Sequence, residues 1–320
     1  MPSALYMNNK KWIVILILFA PAFLLSQRND SPLQKKITEI LKGFHGDVGV
    51  CIKNLRTSKT VTINADSLFP TASMIKVSIL IGIMDKIEKG ELQYHQEMIY
   101  KDSLLYGGVD ILGSFKDGEK IELSKLLMLM LTMSDNTASL WLQSLAGGGL
   151  RINELLDSLG LHDMRVNSRT AGRENNRNLY GWGQTTPKEM ATLLEKIYKR
   201  EIINQKVSER MLRLLGRDYW DEQGISQIPP FVFVACKNGA VDQSRSETML
   251  VMAPHGPYVF SIITKNQQDT SWNLNNEGWV LSRKLSGTLW NYFEPKSGWQ
   301  PSLDIEGKIN STTQANKNNK

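Results

Sequence analysis

The chain carries the stretch Phe-Pro-Thr-Ala-Ser-Met-Ile-Lys at residues 69–76, where an apolar helical pattern begins. Three residues is nearly one helical turn, so Ser73 and Lys76 project from the same face. A lysine amine beside a serine hydroxyl can accept its proton when burial or nearby cations lower the amine pKa. Unpaired N–H groups at a helix N-terminus also favour developing negative charge. The stretch therefore suggests a nucleophilic serine; a helix start with a solvated lysine is the alternative.

Strand-like and helical segments alternate around this stretch in a way that predicts one mixed fold. Strand-like runs lie at 47–54 and 60–64, and again at 231–237, 247–253 and 258–264. Helical spacing is found at 33–42, 72–89, 123–133, 137–145, 151–159, 187–199, 208–215 and 279–293. We therefore predict an α/β fold of the α+β type, an antiparallel sheet flanked by helices, built from residues 30–70 and 216–294. An inserted all-helical domain at 71–215 would form a cleft with it.

The two ends of the chain have their own character. Lys10-Lys11 precede an apolar run from Trp12 to Leu25, which is too short for a membrane span and is typical of an export signal. We predict a signal peptide at 1–26, beginning at Met1 or Met7, and export to the bacterial periplasm; an uncleaved membrane anchor is the alternative. Residues 295–320 are rich in Asn, Ser, Thr and Lys, and we predict that they are disordered.

Composition and charge exclude several classes of partner. The chain has a formal charge of +6, but the part between the two ends carries only about +2. No Arg/Lys stripe is interleaved with aromatic residues, so we expect no nucleic-acid partner. No His/Cys cluster has zinc-like spacing, so we expect no metal and no cofactor. Cys51 and Cys236 lie in apolar, strand-like runs and are predicted to be free, buried thiols; because the chain is expected to be exported, a disulfide is the alternative.

Two further polar motifs follow the serine–lysine pair. Ser134-Asp135-Asn136 interrupts a helical stretch directly after an apolar run. A helix N-cap is its simpler interpretation, because all three residue types cap helices. Lys237-Asn238-Gly239 ends a strand and offers a cation together with a glycine that lets a substrate approach the backbone. Its simpler interpretation is an edge lysine followed by a turn.

In that order, the three motifs resemble the Ser-x-x-Lys, Ser-Asp-Asn and Lys-Thr-Gly boxes of class A β-lactamases and penicillin-binding proteins. Their separations of 61 and 103 residues are similar to those of class A enzymes. The resemblance covers roughly residues 35–293 and implies the fold of serine β-lactamases and DD-peptidases. It also implies a monomer that acts on a small β-lactam or a D-Ala-D-Ala-like substrate.

The resemblance implies catalytic roles for the matching positions. Ser73 would attack the carbonyl carbon of the substrate, and Lys76 and Ser134 would transfer protons. The backbone N–H groups of Ser73 and of Ala240, the residue after Gly239, would hold the oxyanion.

The resemblance implies substrate-binding roles for other residues. Asn136 would position the substrate amide, and Lys237 would attract the substrate carboxylate. Asn238 replaces the usual Thr or Ser of the third box, so the customary hydroxyl donor is lost. Arg245 is either a second carboxylate anchor or a solvated turn arginine. Tyr106 either walls the cleft or packs.

The loop before Thr186-Pro187 decides between a β-lactamase and a penicillin target. Class A enzymes activate the deacylating water with the glutamate of a Glu-x-x-x-Asn motif, which Glu174 and Asn178 resemble; a solvent-exposed acid is the alternative. The usual proline after the glutamate is missing. Of the Arg–Asp bridge that closes such loops, Arg165 is present, but Gly183-Gln184 stand where the aspartate is expected. We expect a class A-like β-lactamase, with a D-Ala-D-Ala peptidase or esterase, or a catalytically silent penicillin-binding sensor, as alternatives.

Overall fold

The computed structural model describes residues 28–107 and 111–308. The α-helices are α1 (Ser31–Leu41), α2 (Lys76–Glu88), α3 (Leu123–Met128), α4 (Asn136–Leu145), α5 (Gly148–Ser158), α6 (Glu174–Tyr180), α7 (Pro187–Tyr198), α8 (Gln205–Leu215) and α9 (Glu277–Phe293). The strands are β1 (Arg28–Asn29), β2 (Asp47–Asn54), β3 (Lys59–Ile63), β4 (Phe69–Pro70), β5 (Glu97–Ile99), β6 (Lys120–Glu122), β7 (Arg165–Val166), β8 (Gly183–Thr185), β9 (Val234–Val241), β10 (Ser244–Val251) and β11 (Tyr258–Lys265). The predicted signal peptide lies outside the described residues.

The main sheet is built from both ends of the chain, as predicted. Its strand order is β1-β3-β2-β11-β10-β9, and every pairing except β1 with β3 is antiparallel. Helices α1 and α9 cover one face, and α7 covers the other. Strand β10 is buried at every position, as expected for a strand that is covered on both faces. The predicted α/β fold with an antiparallel sheet flanked by helices is confirmed.

The segment between the two halves of the sheet is mostly helical and surrounds α2. Ten residues of α2, from Lys76 to Asp85, are buried, and α4, α5 and α8 pack around it. The segment is not purely helical, because β5 pairs with β6 and β4 pairs with β8, which in turn pairs with β7. Pro70 keeps its preceding residue extended, so β4 is ready to pair with β8. The exact division into two domains stays a prediction.

The two cysteines lie too far apart to be joined. Cys51 is on β2 and Cys236 is on β9, with β11 and β10 between them. At about 4.8 Å per strand, the separation of roughly 14 Å exceeds the Cα–Cα limit of about 7 Å for a disulfide. Their side chains also belong to different cores. Both are free, buried thiols, as predicted.

The first part of the tail packs against α9, although the sequence predicts disorder from residue 295. Gln227 Nε2 donates to Leu303 O at 2.9 Å, and Arg283 Nε donates to Ile305 O at 3.4 Å. The tail carbonyls thus add hydrogen bonds to two buried polar side chains that also have partners elsewhere. Within 28–107 and 111–308, no helix is long and apolar enough to cross a bilayer, and no group of three or more His, Cys, Asp or Glu side chains could hold a metal ion.

Candidate active site

Ser73 lies on a tight turn between a strand and a helix. Strand β4 leads into a 3₁₀ helix, Ala72–Ile75, and α2 begins at Lys76. The sequence predicts one helix from Ala72, whereas its first turn is the tighter 3₁₀ form. Ala72 has a φ of +44°, in the region that favours glycine. This strained backbone at Ala72 places Ser73 at the N-terminal end of α2.

Lys76 joins the first box to the second. Its side chain is fully buried, and its Nζ donates to Ser134 Oγ at 3.1 Å, to Ser134 O at 2.5 Å and to Asn136 Oδ1 at 2.9 Å. The alternative of a solvated lysine is therefore wrong. A buried amine next to the Ser134 hydroxyl is placed to pass a proton to or from it.

The second box takes its shape from a change of helix type. After α3, residues Leu129–Met133 form a π-helix, a form that is often found at functional sites. Ser134 then adopts a left-handed conformation with a φ of +60°. Asp135 caps α4 by accepting from Ala138 N at 2.8 Å, so the N-cap interpretation holds for Asp135. The cap leaves Ser134 and Asn136 on either side to face Lys76.

The third box lies directly against the nucleophile. A Cβ placed on Gly239 would be 2.8 Å from Ser73 N and 2.7 Å from Thr71 O, so only glycine fits. Ser246 Oγ lies 3.1 Å from Gly239 O and 3.3 Å from Thr71 O, and it holds the two segments together. Ala240 follows Gly239 on β9, and its part in holding the oxyanion stays a prediction.

Lys237 and Asn238 form the buried end of the third box. Lys237 Nζ donates to Asn238 O at 3.0 Å and to Asn238 Oδ1 at 3.1 Å. Asn238 Nδ2 donates to Trp220 O at 3.4 Å, and Trp220 Nε1 donates to Met133 O at 3.2 Å. Trp220, which the sequence did not single out, thus ties the third box to the segment before the second. The Asn238 amide holds the fully buried Lys237 side chain in place.

Asp218 is a second residue that sequence reasoning missed. Its Oδ1 accepts from Trp220 N at 3.1 Å, and its Oδ2 is buried without a hydrogen-bond partner. Burial raises the pKa of Asp218, and the positive charge of Lys237 opposes that rise. Burial also raises the pKa of the neighbouring Cys236 thiol. No local pattern marks Asp218, because its proximity to Lys237 arises only when the loop before β9 folds back.

Arg245 does not face the cleft, and both interpretations of it are wrong. Its guanidinium is buried and donates to Val241 O, to Ser244 O at 3.0 Å and to Ser271 O at 2.6 Å. The group also stacks on Trp272, 4.6 Å from the ring centroid. Burial lowers its pKa. Arg245 is occupied in holding backbone carbonyls, so it is neither a carboxylate anchor nor a solvated turn residue.

The structure does not bring Glu174 into contact with the three boxes. Glu174 is exposed at the first position of α6, and its Oε1 accepts from Gly172 N at 3.2 Å. Asn178 is exposed on the same helix, one turn later. The arrangement matches the alternative of a solvent-exposed acid, because the start of α6 turns the carboxylate outward.

The loop that ends at Gln184 is closed by contacts other than the bridge expected for Arg165. Arg165 Nη2 pairs with Asp157 of α5 at 2.5 Å, and hydrogen bonds from His162 and Arg165 lower the pKa of Asp157. Gln184, where an aspartate was expected, instead accepts from Arg173 Nη2 at 2.7 Å. The loop is therefore closed from within by Arg173 and by the β7–β8 pairing.

Tyr106 lies at the edge of the cleft and meets an aromatic residue that the sequence did not single out. Its backbone N–H donates to Thr137 Oγ1 at 3.0 Å, next to Asn136. Its ring packs edge-on against Trp182, with centroids 5.1 Å apart. The Tyr-Gly-Trp-Gly pattern at 180–183, in an otherwise polar loop, is the one signal that could have indicated Trp182.

Comparisons with known proteins agree with this fold. The structure of PBP-A has a TM-score of 0.74 to this chain at 23% identity, covering 84% of this chain and 98% of PBP-A. A β-lactamase from Sphaerobacter thermophilus has a TM-score of 0.73 at 21% identity, covering 82% and 98%. Beta-lactamase VEB-1 of Pseudomonas aeruginosa is 24% identical over 293 residues, covering 88% of this chain and 96% of its own. A model of the beta-lactamase enzyme family matches residues 32–293. The chain belongs to the beta-lactamase enzyme family.

Proposed function

We propose that this protein is a class A-like serine hydrolase that opens β-lactams through an acyl-enzyme at Ser73. The observation that carries the proposal is the convergence of the three boxes. Lys76 Nζ contacts Ser134 Oγ and Asn136 Oδ1, while the Gly239 backbone lies against Ser73 N. The family match and a PBP-A variant solved as an acyl-enzyme with penicillin G support the same chemistry.

The proposed acylation uses these groups in turn. The Ser73 hydroxyl oxygen attacks the lactam carbonyl carbon, and its proton passes to the Lys76 amine, which acts as the general base in its unprotonated form. The N–H groups of Ser73 and Ala240 stabilise the oxyanion. The C–N bond then breaks, and the ring nitrogen takes a proton from Ser134, which Lys76 replenishes. The product is an ester between Ser73 and the opened ring.

Substrate orientation relies on the positive end of the cleft. Lys237 is a buried cation next to Asn238, and β-lactams carry a carboxylate close to the ring nitrogen. In a site shielded from water, attraction between these charges is stronger than at the surface. We propose that Lys237 holds this carboxylate and that Asn136 holds the amide on the opposite side.

The position of Glu174 favours a second candidate function. Hydrolysis of the ester needs a group that activates water, and the Glu174 carboxylate is exposed and bonded to Gly172 N. If α6 keeps this position, the acyl-enzyme is long-lived, and the protein acts as a D-Ala-D-Ala peptidase-like or penicillin-binding enzyme. If α6 turns Glu174 inward, the protein acts as a β-lactamase.

One experiment separates the two candidates. Purified protein is mixed with nitrocefin while absorbance and intact mass are followed together. Many turnovers per enzyme support the β-lactamase, and a single burst with a persistent adduct supports the second candidate. Absence of both colour and adduct would contradict every acyl-enzyme version. Glu174→Gln converts turnover into a trapped adduct if Glu174 is the base; Glu154→Gln, at an exposed glutamate of α5, is the matched control.

A further inference from the structure

Tyr106 is held next to the second box by its own backbone. Its N–H donates to Thr137 Oγ1 at 3.0 Å, and the same hydroxyl lies 3.3 Å from Tyr106 O. Thr137 is fully buried and directly follows Asn136, whose Oδ1 accepts from Lys76. The base of the Tyr106 side chain therefore has a defined place beside the residue proposed to bind the substrate amide.

Trp182 is held next to the first box in a similar way. Its carbonyl accepts from Asn167 N at 2.8 Å, and the carbonyl of the next residue, Gly183, accepts from Thr71 N at 2.9 Å. A Cβ on Gly183 would lie 2.6 Å from Ile75 Cγ1, so this segment packs tightly on the turn that carries Ser73. Trp182 cannot slide along the turn without breaking these contacts.

The two rings meet on the side of the cleft where Asn136 lies. Their centroids are 5.1 Å apart with an interplanar angle of 78°, a favourable edge-to-face arrangement. A ligand group between two rings needs about 3.5 Å to each, or roughly 7 Å in total. No substituent fits between them unless one ring moves. Tyr106 is 37% exposed, so the pair lies at the outer edge of the cleft.

We infer that Tyr106 and Trp182 form an aromatic bridge that makes this enzyme selective for β-lactams with a small acyl side chain. The inference rests on the proposed function, in which Asn136 holds the amide that carries this side chain. A bulky substituent has to displace the bridge and lose its packing, whereas a bare amino group does not reach it. Selectivity thus comes from a steric penalty on the larger substrate.

The test compares two penicillins that share one ring system. The probes are 6-aminopenicillanic acid, which has no acyl side chain, and nafcillin, which has a bulky naphthoyl group. Second-order acylation rates are measured by intact mass for the wild type, Trp182→Ala, Tyr106→Ala and the double variant. We expect each single variant to raise the nafcillin to 6-aminopenicillanic acid rate ratio at least tenfold. The double variant raises it no further, because both changes remove the same contact.

Controls keep the outcomes distinct. Trp182→Phe retains a ring and leaves the ratio within threefold of wild type. If Trp182→Ala is destabilised in thermal unfolding, the comparison relies on Tyr106→Ala, because the Tyr106 side chain is partly exposed. An unchanged or lower ratio in a folded variant overturns the bridge while leaving the proposed function intact. If the wild type neither forms an adduct with the two penicillins nor hydrolyses them, the proposed function is overturned, and the inference with it.

Discussion

Replacing Gly239 with alanine tests how closely the third box approaches the nucleophile. The added Cβ would lie 2.8 Å from Ser73 N and 2.7 Å from Thr71 O. An unstrained contact needs about 3.5 Å, so β9 has to move away from the 3₁₀ helix by about 0.7 Å. Both opposing atoms belong to the backbone and cannot rotate away, so the displacement falls on the strand itself.

The displacement acts on the proposed oxyanion site, because Ala240 N–H moves with the strand. Loss of one oxyanion donor costs about 100- to 1,000-fold in rate. We therefore expect Gly239→Ala to slow acylation by at least about 100-fold. The assay is rapid mixing with penicillin G, acid quenching and quantification of the acyl-enzyme by intact mass.

A matched control separates this effect from a general cost of alanine. Gly287 is buried in α9, and a Cβ there would lie 3.4 Å from its nearest neighbours, which is an ordinary contact. We expect Gly287→Ala to acylate at the wild-type rate. A folded Gly239→Ala protein that acylates within threefold of wild type would refute the placement of the reacting carbonyl between Ser73 and Ala240.

Three further predictions test the surroundings of the site. Arg173→Met removes the side-chain part of the loop closure, so we expect proteolytic cleavage within 167–184 to accelerate. Arg177→Met, on the exposed side of α6, leaves the cleavage rate unchanged, and equal rates in both variants would contradict this role of Arg173. Burial raises the pKa of Glu247 above its ordinary 4.5, so the stability that this group contributes is present below pH 4.5 and is lost as pH rises through the folded pKa. We expect Glu247→Gln to flatten the fall in melting temperature as the pH rises above 4.5, and parallel curves would disprove it. Arg245→Lys loses bonds to backbone carbonyls worth about 1.5–3 kcal/mol each; an unchanged urea midpoint would show that they contribute nothing.

Local sequence patterns predict much of the fold and the central residues of the site. The strand predicted at 258–264 is β11 (Tyr258–Lys265), because a short, nearly continuous run of aromatic and β-branched residues favours a buried strand. Gly239 was expected at the end of its strand, but β9 continues through it to Val241. Ser73 and Ser134 each lie where a helix begins or ends. Such positions are visible as breaks in periodicity, and the fold brings them together around Lys76.

Other features depend on contacts that no local pattern encodes. Arg245 is buried because Trp272, 27 residues later, closes over it. Glu174 faces outward because of the direction in which α6 leaves Arg173, and Trp182 gains its role from a partner 76 residues earlier. The 3₁₀ turn at Ser73 and the π-helix before Ser134 are likewise set by tertiary packing, which overrides the plain helical pattern of the sequence.

The most direct test of the central claim is to locate the acyl group after reaction with penicillin G. The acylated protein is digested with trypsin, and the peptide spanning residues 60–76 is fragmented in a mass spectrometer. We predict one adduct with the mass of the intact penicillin on Ser73, absent from a Ser73→Gly variant. No adduct on that peptide from a protein that also fails to hydrolyse penicillin G, or an adduct on Ser67 or elsewhere that survives in Ser73→Gly, would contradict the account.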